Sequence, residues 1–168
     1  MYESAVRIPM LMSFPERFAG GQVRDGACTT LDVLQTLMEL SGAEPGEDWQ
    51  GDSMVAHLDN PQNPWKDRAL SEYYAHNVCS GFQMLRQGPW KYVYHTRFND
   101  EFGPERELDN LEADPNEFQN LAASEPEKVS AMHEALTQEL GLPPDEVEAQ
   151  CRADYMSVAG EDWCTKPS

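Results

Sequence analysis

Large apolar and polar residues alternate most clearly between Phe82 and His95, and this pattern predicts a β-hairpin. A period of two places successive side chains on opposite faces of a strand. Gln87-Gly88 is the predicted turn, because glycine tolerates the positive φ of tight hairpins. An isolated hairpin is marginal in water, so another element must cover its apolar face. The large residues expected together on that face are Phe82, Met84, Trp90, Tyr92 and Tyr94.

Two other segments carry apolar residues at the 3.6-residue spacing of amphipathic helices. Residues 31–41 follow a candidate N-cap, Thr29 or Thr30, and end before a glycine. Residues 125–140 have a proline in their first turn and also end before a glycine, which are typical first and last signals of a helix. We expect this second helix and a strand over 69–75 to be the elements that cover the hairpin.

The remaining patterns are shorter and predict less regular structure. An apolar run over 6–12 predicts a buried strand, and 107–111 predicts a short strand. Residues 116–123 are expected to form a helical turn. A weak helix is predicted over 145–152, followed by an unpatterned tail.

A long segment rich in glycine, proline, aspartate and asparagine, residues 43–66, separates the first helix from the later strands. Long irregular connections usually carry function or cross between subdomains. This one contains a predicted helical turn at 53–58. We therefore expect three parts, which are residues 1–66, residues 67–141 and a tail at 142–168.

Composition narrows the functional classes. The 168 residues are 40% hydrophobic and 25% charged, which is typical of a globular protein. A net charge of −18 argues against nucleic acid and anionic membranes as partners. No apolar stretch is long enough to span a bilayer, and the first residues do not have the pattern of a secretory leader. These features favour a soluble protein and leave its compartment open, with the cytoplasm favoured.

The four cysteines and four histidines are scattered along the chain. The cysteines have no CxxC spacing, so free thiols and disulfides both remain open. The histidines have neither HxH nor HExxH spacing, so no independent metal site is predicted. The residues are Cys28, Cys79, Cys151, Cys164, His57, His76, His95 and His133.

Four segments, taken in order, resemble motifs of the sulfatase family. Residues 1–9 (MYESAVRIP) are similar to its YE-x-x-x-R-V-P strand. Residues 30–42 (TLDVLQTLMELSG) are similar to its D-x-x-P-T-L-L-x-L-A-G helix, with Gln35 where proline is usual. Residues 84–94 are similar to M-x-R-x-G-x-W/Y-K-Y-I, and residues 107–122 to E-L-Y-D-L-x-x-D-P-x-E-x-x-N-L-A. Together they resemble the C-terminal third of a sulfatase, within the alkaline-phosphatase-like superfamily.

The resemblance implies the edge of an alkaline-phosphatase-like α/β domain followed by a small antiparallel sheet packed by a helix, so that this chain alone is α+β. Residues 14–20 (FPERFAG) and 71–74 (SEYY) look nearest to the choline-sulfatase-like branch. In the last motif Asp109 and Asn110 replace a tyrosine and an aspartate. A charge therefore stands where an aromatic is usual, and we expect this to cost packing and not chemistry.

The resemblance also implies cofactors for a full-length enzyme. Sulfatases use a formylglycine made from the Cys or Ser of a C/S-x-P-x-R motif, and a divalent cation, usually calcium, that polarises the sulfate. None of the four cysteines begins this motif, because the second residues after them are Thr30, Gly81, Ala153 and Lys166. We therefore expect no catalytic residue, no metal ligand and no cofactor in this chain.

Four residues are candidates for substrate binding. Glu72, Tyr74, His76 and Asn77 lie on the segment that, in the resembling family, leaves the sheet toward the pocket mouth and helps to select the leaving group. Histidine changes charge near neutral pH, and asparagine both donates and accepts hydrogen bonds. A solvated strand end is the alternative interpretation.

Three other features also allow two interpretations. Arg86 and Lys91 near the hairpin turn form either a solvated end or an anion contact. The aromatic stripe of the hairpin forms either core, which is favoured, or a carbohydrate-stacking platform. The acidic segment 100–114 lacks the D-x-D-x-D-G spacing of a calcium loop, so a solvated loop is expected.

Two functional hypotheses follow. In the first, the chain is the C-terminal part of a sulfuric ester hydrolase, lacks the nucleophile and metal ligands, and completes the fold and part of the pocket rim. Its partners are then the N-terminal catalytic portion or a second copy, and the substrate of the parent enzyme is a sulfate ester. In the alternative, the chain is a free-standing noncatalytic α+β module that binds or scaffolds.

Overall fold

The computed structural model describes residues 2–44, 46–74, 80–97, 99 and 101–160. Its helices and strands are α1 (Glu3–Val6), α2 (Thr30–Ser41), α3 (Val55–Asp59), β1 (Arg68–Tyr73), β2 (Phe82–Gln87), β3 (Trp90–His95), β4 (Glu105–Asn110), α4 (Pro126–Leu140) and α5 (Pro144–Ala159). The chain divides into a first compact unit, Ser4–Ala69, and a second, Leu70–Ser168 with Met1–Glu3. The architecture is α+β, as predicted.

The strands form one antiparallel sheet in the order β1-β2-β3-β4. β2 and β3 pair as the predicted hairpin, with Phe82 opposite His95 and Gln87 opposite Trp90. The two-residue loop is therefore Gly88-Pro89, one position later than predicted. Glycine suits this loop because its first residue has a φ of 55°, where a Cβ would be strained.

The predicted placement of all the large hairpin residues on one face is wrong. With a two-residue loop, each even-numbered residue of β2 lies opposite an odd-numbered residue of β3. Even-numbered residues therefore point to one face of the sheet in β2 and to the other face in β3. Leu85 lies opposite Tyr92, and these two share one face. Met84 lies opposite Val93 on the other face, which Phe82 also shares. Both faces are covered, because Leu85, Tyr92, Met84 and Val93 are all buried.

Helix α4 covers the face that contains Tyr92, as its apolar stripe predicts. The helix begins with a proline in its first turn and ends at Gly141, whose φ is 75°. Burying each large apolar side chain contributes about 1.5 to 3 kcal/mol, so this cluster is the main source of stability in the second unit. Its buried members are Leu85, Tyr92, Tyr94, Leu108, Val129, Met132 and Leu136.

Helix α5 is longer than the predicted segment 145–152, and the expected unpatterned tail is wrong as far as Ala159. Of its 16 residues only Pro144 is buried, so the helix has no apolar stripe by which to recognise it. Polar contacts attach it to the sheet. One of them joins the side-chain Nε2 of Gln83 to the Pro144 carbonyl oxygen at 3.2 Å.

Helix α2 of the first unit begins and ends where the sequence predicts. Thr29 and Asp32 form a reciprocal capping box, in which each side chain accepts a backbone N–H from the other residue. Gly42 ends the helix in the left-handed conformation, with a φ of 72°. Local signals were therefore sufficient to place this helix.

The exposed and buried faces of α2 are reversed relative to an ordinary amphipathic helix. Leu31, Leu34 and Leu37 are 45%, 42% and 53% exposed. Asp32 and Thr36 are instead completely buried. A helix normally turns its apolar stripe toward the core. Within the first unit, α2 turns its polar side inward and leaves three of its four leucines in solvent.

Hydrogen bonds explain why the polar side of α2 is buried. The Thr36 hydroxyl donates to the Asp32 carbonyl oxygen at 2.7 Å and accepts the Met54 N–H at 2.9 Å. The Asp32 carboxylate accepts the Asp52 N–H at 2.8 Å and lies 2.6 Å from Lys66 Nζ. Buried polar groups need such partners. The segment that was predicted to be a long loop is thus attached to the helix at several points.

The apolar run over 6–12 is not the predicted strand. Helix α1 ends at Val6, and residues 7–14 have no regular structure. Ile8 and Leu11 are 74% and 98% exposed. A strand needs a neighbour for its backbone hydrogen bonds, and in the described ranges none lies beside this run.

Three smaller predictions have mixed outcomes. The predicted helical turn over 116–123 is a series of turns, because Glu117 has a φ of 58°, which a right-handed helix excludes. The strand predicted at 107–111 begins two residues earlier, at Glu105. The helical turn predicted at 53–58 is α3. None of the helices in the described ranges is long and apolar enough to cross a membrane.

Candidate functional site

Two of the four predicted substrate-binding residues lie together at the end of β1. The Tyr74 hydroxyl donates a hydrogen bond to Oε1 of Glu72 at 2.9 Å. His76 and Asn77 lie outside the described residues, which resume at Ser80. The described part of the site is therefore a phenol and a carboxylate in direct contact.

Gln83, on the neighbouring strand, holds the Tyr74 hydroxyl. Its Nε2 donates to the Tyr74 oxygen at 2.7 Å, and the Gln83 side chain is completely buried. The hydroxyl thus accepts from Gln83 while it donates to Glu72. Burial raises the pKa of Tyr74, the Gln83 contact opposes this effect, and the Glu72 carboxylate adds to it. The phenol therefore keeps its proton at neutral pH.

Gly81 makes room for the Tyr74 ring. A Cβ at position 81 would lie 2.5 Å from the Tyr74 Cδ1 atom, so only glycine fits without a shift of the ring. The Gly81 N–H donates to Oε1 of Glu148 at 3.1 Å, and the Gly81 carbonyl oxygen accepts the Thr96 N–H at 3.0 Å. The backbone beside Tyr74 is therefore fixed both by α5 and by Thr96, the residue that follows β3.

Sequence analysis missed Gln83 and Glu148, which both contribute to this arrangement. Gln83 did carry a signal, because a polar residue in the middle of a buried hairpin needs a hydrogen-bond partner. Glu148 carried none, because its partner Gly81 is 67 positions away in the chain. Only the tertiary structure brings those two residues together.

A second polar group lies between the sheet and helices α4 and α5. The Tyr92 hydroxyl and His133 Nδ1 are 3.0 Å apart, and the Tyr94 hydroxyl donates to Oδ2 of Asp145 at 2.8 Å. Burial raises the pKa of Tyr92 to about 12. Burial, and then the charge of Arg106, lower the pKa of His133. Nδ1 of a neutral imidazole can therefore accept a hydrogen bond from the Tyr92 hydroxyl, and these groups act as packing contacts.

Lys91 is not at a solvated hairpin end, so that prediction is wrong for this residue, and the anions beside it are carboxylates of this chain. Its side chain is 1% exposed and forms an ion pair with Glu117, and Oε1 of Glu3 lies 3.8 Å away. Asp109 lies opposite Lys91 on β4 and is also buried. Burial lowers the pKa of Lys91 and raises that of Asp109. The unusual charge at Asp109 therefore lies beside a buried cation.

The other open alternatives concern the aromatic stripe and Arg86. Tyr92 and Tyr94 are buried in the core, so they offer no platform for stacking a carbohydrate. Trp90 packs at the edge of that core, with the Lys128 ammonium 5.0 Å from its ring centroid. Arg86 folds back and donates from Nε to the Gly88 carbonyl oxygen at 2.9 Å.

A serine segment corrects the expectation that the chain holds no candidate for formylglycine. The S-x-P-x-R order is present at residues 13–17 (SFPER), where the motif begins with a serine and not with one of the four cysteines. Ser13 is exposed, and the Arg17 guanidinium is engaged by the Asp59 carboxylate at 2.6 Å. Among the residues that the structure describes, no three His, Cys, Asp or Glu side chains are grouped to hold a metal ion. The residues present therefore do not fit a formylglycine and its metal.

The family profile described as "N-sulphoglucosamine sulphohydrolase, C-terminal" matches residues 1–142. The chain therefore belongs to this family and contains the C-terminal domain of a sulfatase. Arylsulfatase K of Canis lupus familiaris is 29% identical over 153 residues. The match covers 85% of this chain and 27% of that relative, so the chain spans much less than the relative's whole length.

Solved structures show the same fold. The candidate sulfatase yidJ of Bacteroides fragilis has a TM-score of 0.67 and 19% identity, with 82% of this chain and 30% of that chain covered. BT4656, solved with its substrate D-glucosamine-2-N,6-O-disulfate, has a TM-score of 0.63 and 22% identity, with 79% and 28% covered. The resemblance to a sulfatase C-terminal part is confirmed. The likeness to the choline-sulfatase-like branch stays a prediction.

Proposed function

We propose that this chain acts as the C-terminal part of a sulfuric ester hydrolase, completing its fold and part of its pocket rim. The observation that carries this proposal is the match of residues 1–142 to the sulfatase C-terminal family. The alignment with arylsulfatase K of Canis lupus familiaris covers only 27% of that relative. The upstream part would supply the formylglycine nucleophile and a divalent cation, usually calcium, that polarises the sulfate. This chain supplies neither.

The reversed helix α2 supports the proposal independently. Its exposed residues Leu31, Leu34 and Leu37 follow one another every three positions and form one stripe. Leaving a large apolar side chain in water forfeits about 1.5 to 3 kcal/mol relative to burying it. A catalytic domain packed on this stripe would recover that free energy. A free-standing module would gain nothing from exposing it.

We assign the rim role to Glu72, Tyr74, His76 and Asn77, which would contact the leaving alcohol of a sulfate ester. The contact between Glu72 and Tyr74 supports this assignment, because the phenol proton holds one carboxylate oxygen in place and the remaining lone pairs of Glu72 can accept hydrogen bonds from an alcohol. Polar groups of this kind reject substrates that cannot satisfy them. The rim would therefore contribute to specificity and not to the bond-breaking step.

The first test is the DNA immediately upstream of Met1. We expect an open frame that continues into this chain and encodes a C/S-x-P-x-R motif and an Asp-His pair. An in-frame stop codon and a ribosome-binding site directly before Met1 would contradict the proposal and favour the free-standing module.

The second test uses that full-length enzyme. Tyr74→Phe and Glu72→Gln should each lower kcat/KM for a sulfated sugar about tenfold, which corresponds to about 1.4 kcal/mol. They should change turnover of p-nitrophenyl sulfate much less, because its leaving group lacks the sugar hydroxyls that the rim would bind. Tyr2→Phe is the matched control, since Tyr2 is 62% exposed. Equal effects on both substrates would argue against a rim role.

A further inference from the structure

Helix α5 lies beyond the family match, which ends at residue 142, yet it reaches the candidate site. Its first turn meets the sheet at Gln83, and its next turn meets it at Gly81. Both of these residues contact Tyr74 in turn. The helix is therefore connected to Tyr74 by two separate routes.

The first route ends at the Tyr74 hydroxyl. The Pro144 carbonyl oxygen and the Tyr74 oxygen both accept from Nε2 of Gln83, at 3.2 and 2.7 Å. An amide that is held at two points has a fixed rotamer, and the Gln83 side chain is completely buried. The phenol oxygen is thereby held where its own proton reaches Glu72.

The second route ends at the Tyr74 ring. The Glu148 carboxylate accepts the Gly81 N–H, and charge-assisted hydrogen bonds of this kind are stronger than neutral ones. Gly81 is also the residue whose missing Cβ leaves room for the ring. A shift of the Gly81 backbone would therefore either crowd the ring or release it.

We propose that α5 is a positioning element for the substrate rim, acting through Gln83 and Glu148 on Tyr74 and, through Tyr74, on Glu72. This inference rests on the rim role given to Glu72 and Tyr74 in the proposed function. Gln83 and Glu148 are positioning residues, because they act through Tyr74 and touch no substrate. A helix outside the shared family domain then adjusts the specificity of that domain.

The experiment is solution NMR on the complete chain with 13C-labelled tyrosine, with the Tyr74 signals assigned by their loss in Tyr74→Phe. Gln83→Leu should speed the exchange of the Tyr74 hydroxyl proton with solvent, because it removes the donor that holds the phenol oxygen. Glu148→Ala should shift the Tyr74 ring signals. It should also speed hydrogen exchange at the Gly81 amide about tenfold, which corresponds to about 1.4 kcal/mol.

Two variants act as controls. Glu148→Gln keeps an acceptor and loses only the charge, so it should restore the Tyr74 signals and most of the Gly81 protection. Asp145→Ala removes an α5 contact to Tyr94 and should shift Tyr94 while leaving Tyr74 unchanged. Tyr74 signals that are unmoved in Gln83→Leu and Glu148→Ala, or that move equally in Asp145→Ala, would overturn the inference. If Gln83→Leu does not fold, the two Glu148 variants alone decide.

The same variants separate this inference from the proposed function. In the full-length enzyme, Glu148→Ala should raise KM for a sulfated sugar with little change in kcat, and Glu148→Gln should restore it. If Tyr74→Phe leaves kcat/KM unchanged while the NMR results hold, the rim role is wrong and α5 still positions Tyr74. If Tyr74→Phe lowers kcat/KM and the NMR signals do not respond to α5, the positioning role is wrong and the rim role stands.

Discussion

Lys66 Nζ lies 2.6 Å from Oδ1 of Asp32, whose side chain is completely buried. The same carboxylate accepts the Thr29 N–H at the start of α2, at 2.7 Å, and the Asp52 N–H, at 2.8 Å. One side chain thereby joins the helix start, the following loop and the end of that loop. Removing one partner of a buried pair leaves the other charge uncompensated.

The first prediction concerns this ion pair. Asp32→Ala should lower the free energy of unfolding of the first unit by about 3 kcal/mol, as measured by hydrogen exchange in α2. This loss of stability lies at the lower end of the range for breaking a buried ion pair, because Lys66 keeps its contact with Asp52. Asp52→Asn is the matched control. Asp52 is 64% exposed, so this change should cost less than about 1 kcal/mol.

The pH dependence of the same group has a definite sign. Burial opposes ionisation of Asp32, but Lys66 and the two N–H donors outweigh it, so its pKa lies below the usual value. The stabilising contribution is therefore complete above about pH 4 and is lost as the pH falls through the folded-state pKa. Equal acid sensitivity of the wild type and Asp32→Asn would contradict this assignment.

The second prediction is that the isolated chain has no sulfatase activity. Ser13 has a suitable local sequence, but it is exposed, and Arg17 is engaged by Asp59. With p-nitrophenyl sulfate and excess calcium, product should form at the rate of buffer alone. A calcium-dependent turnover that disappears in Ser13→Ala would show that this interpretation of the segment is wrong.

The third prediction concerns the leucine stripe of α2. We expect the isolated chain to self-associate through Leu31, Leu34 and Leu37, and Leu34→Glu to weaken that association in sedimentation velocity. The same change should leave the stability of the monomer within about 0.5 kcal/mol, because the position is exposed. Leu11→Glu, at a residue that is 98% exposed and outside the stripe, is the control. A wild-type chain that stays monomeric at all concentrations would rule out this role.

The fourth prediction concerns His133, which faces Tyr92 and Tyr94 on β3, Arg106 on β4 and Asp145 on α5. Its pKa is lowered by burial and then by Arg106, so the unfolded chain binds a proton at higher pH than the folded chain. Stability should therefore fall as the pH drops below about 6.5 toward the folded-state pKa. His133→Gln, which keeps an acceptor for Tyr92, should remove this part of the decline in urea unfolding. If the free energies of unfolding of the wild type and His133→Gln differ by the same amount from pH 8 to pH 5, the prediction for His133 is wrong.

Local signals were enough to predict α2, α4 and the β2–β3 hairpin but not the environment of their faces. The capping box at Thr29 and the terminal Gly42 placed α2 correctly, because both act within one helical turn. The stripe of leucines could not reveal that it faces solvent, since burial depends on what else is present. The prediction of a strand over residues 6–12 was wrong for the same reason, because an apolar run forms a strand only where another strand lies beside it.

The candidate site was predictable only in part. Glu72 and Tyr74 were proposed from the resemblance, and the structure adds their direct contact. The burial of Gln83 was overlooked because the prediction placed the even-numbered residues of both hairpin strands on the same face of the sheet. The role of Glu148 could not be predicted from the sequence, because helix α5 has neither an apolar stripe nor a motif of the sulfatase family.

The position of α5 also bears on how this domain can be exchanged between enzymes. A graft that ends at residue 142, where the shared family domain ends, would remove one of the two acceptors of Gln83 and the side-chain acceptor of the Gly81 N–H. The transplanted sheet would then carry a backbone N–H that has lost its partner, and a buried group of this kind costs about 1 to 3 kcal/mol. A workable junction lies after Ala159, so the unit of recombination is longer than the unit of homology.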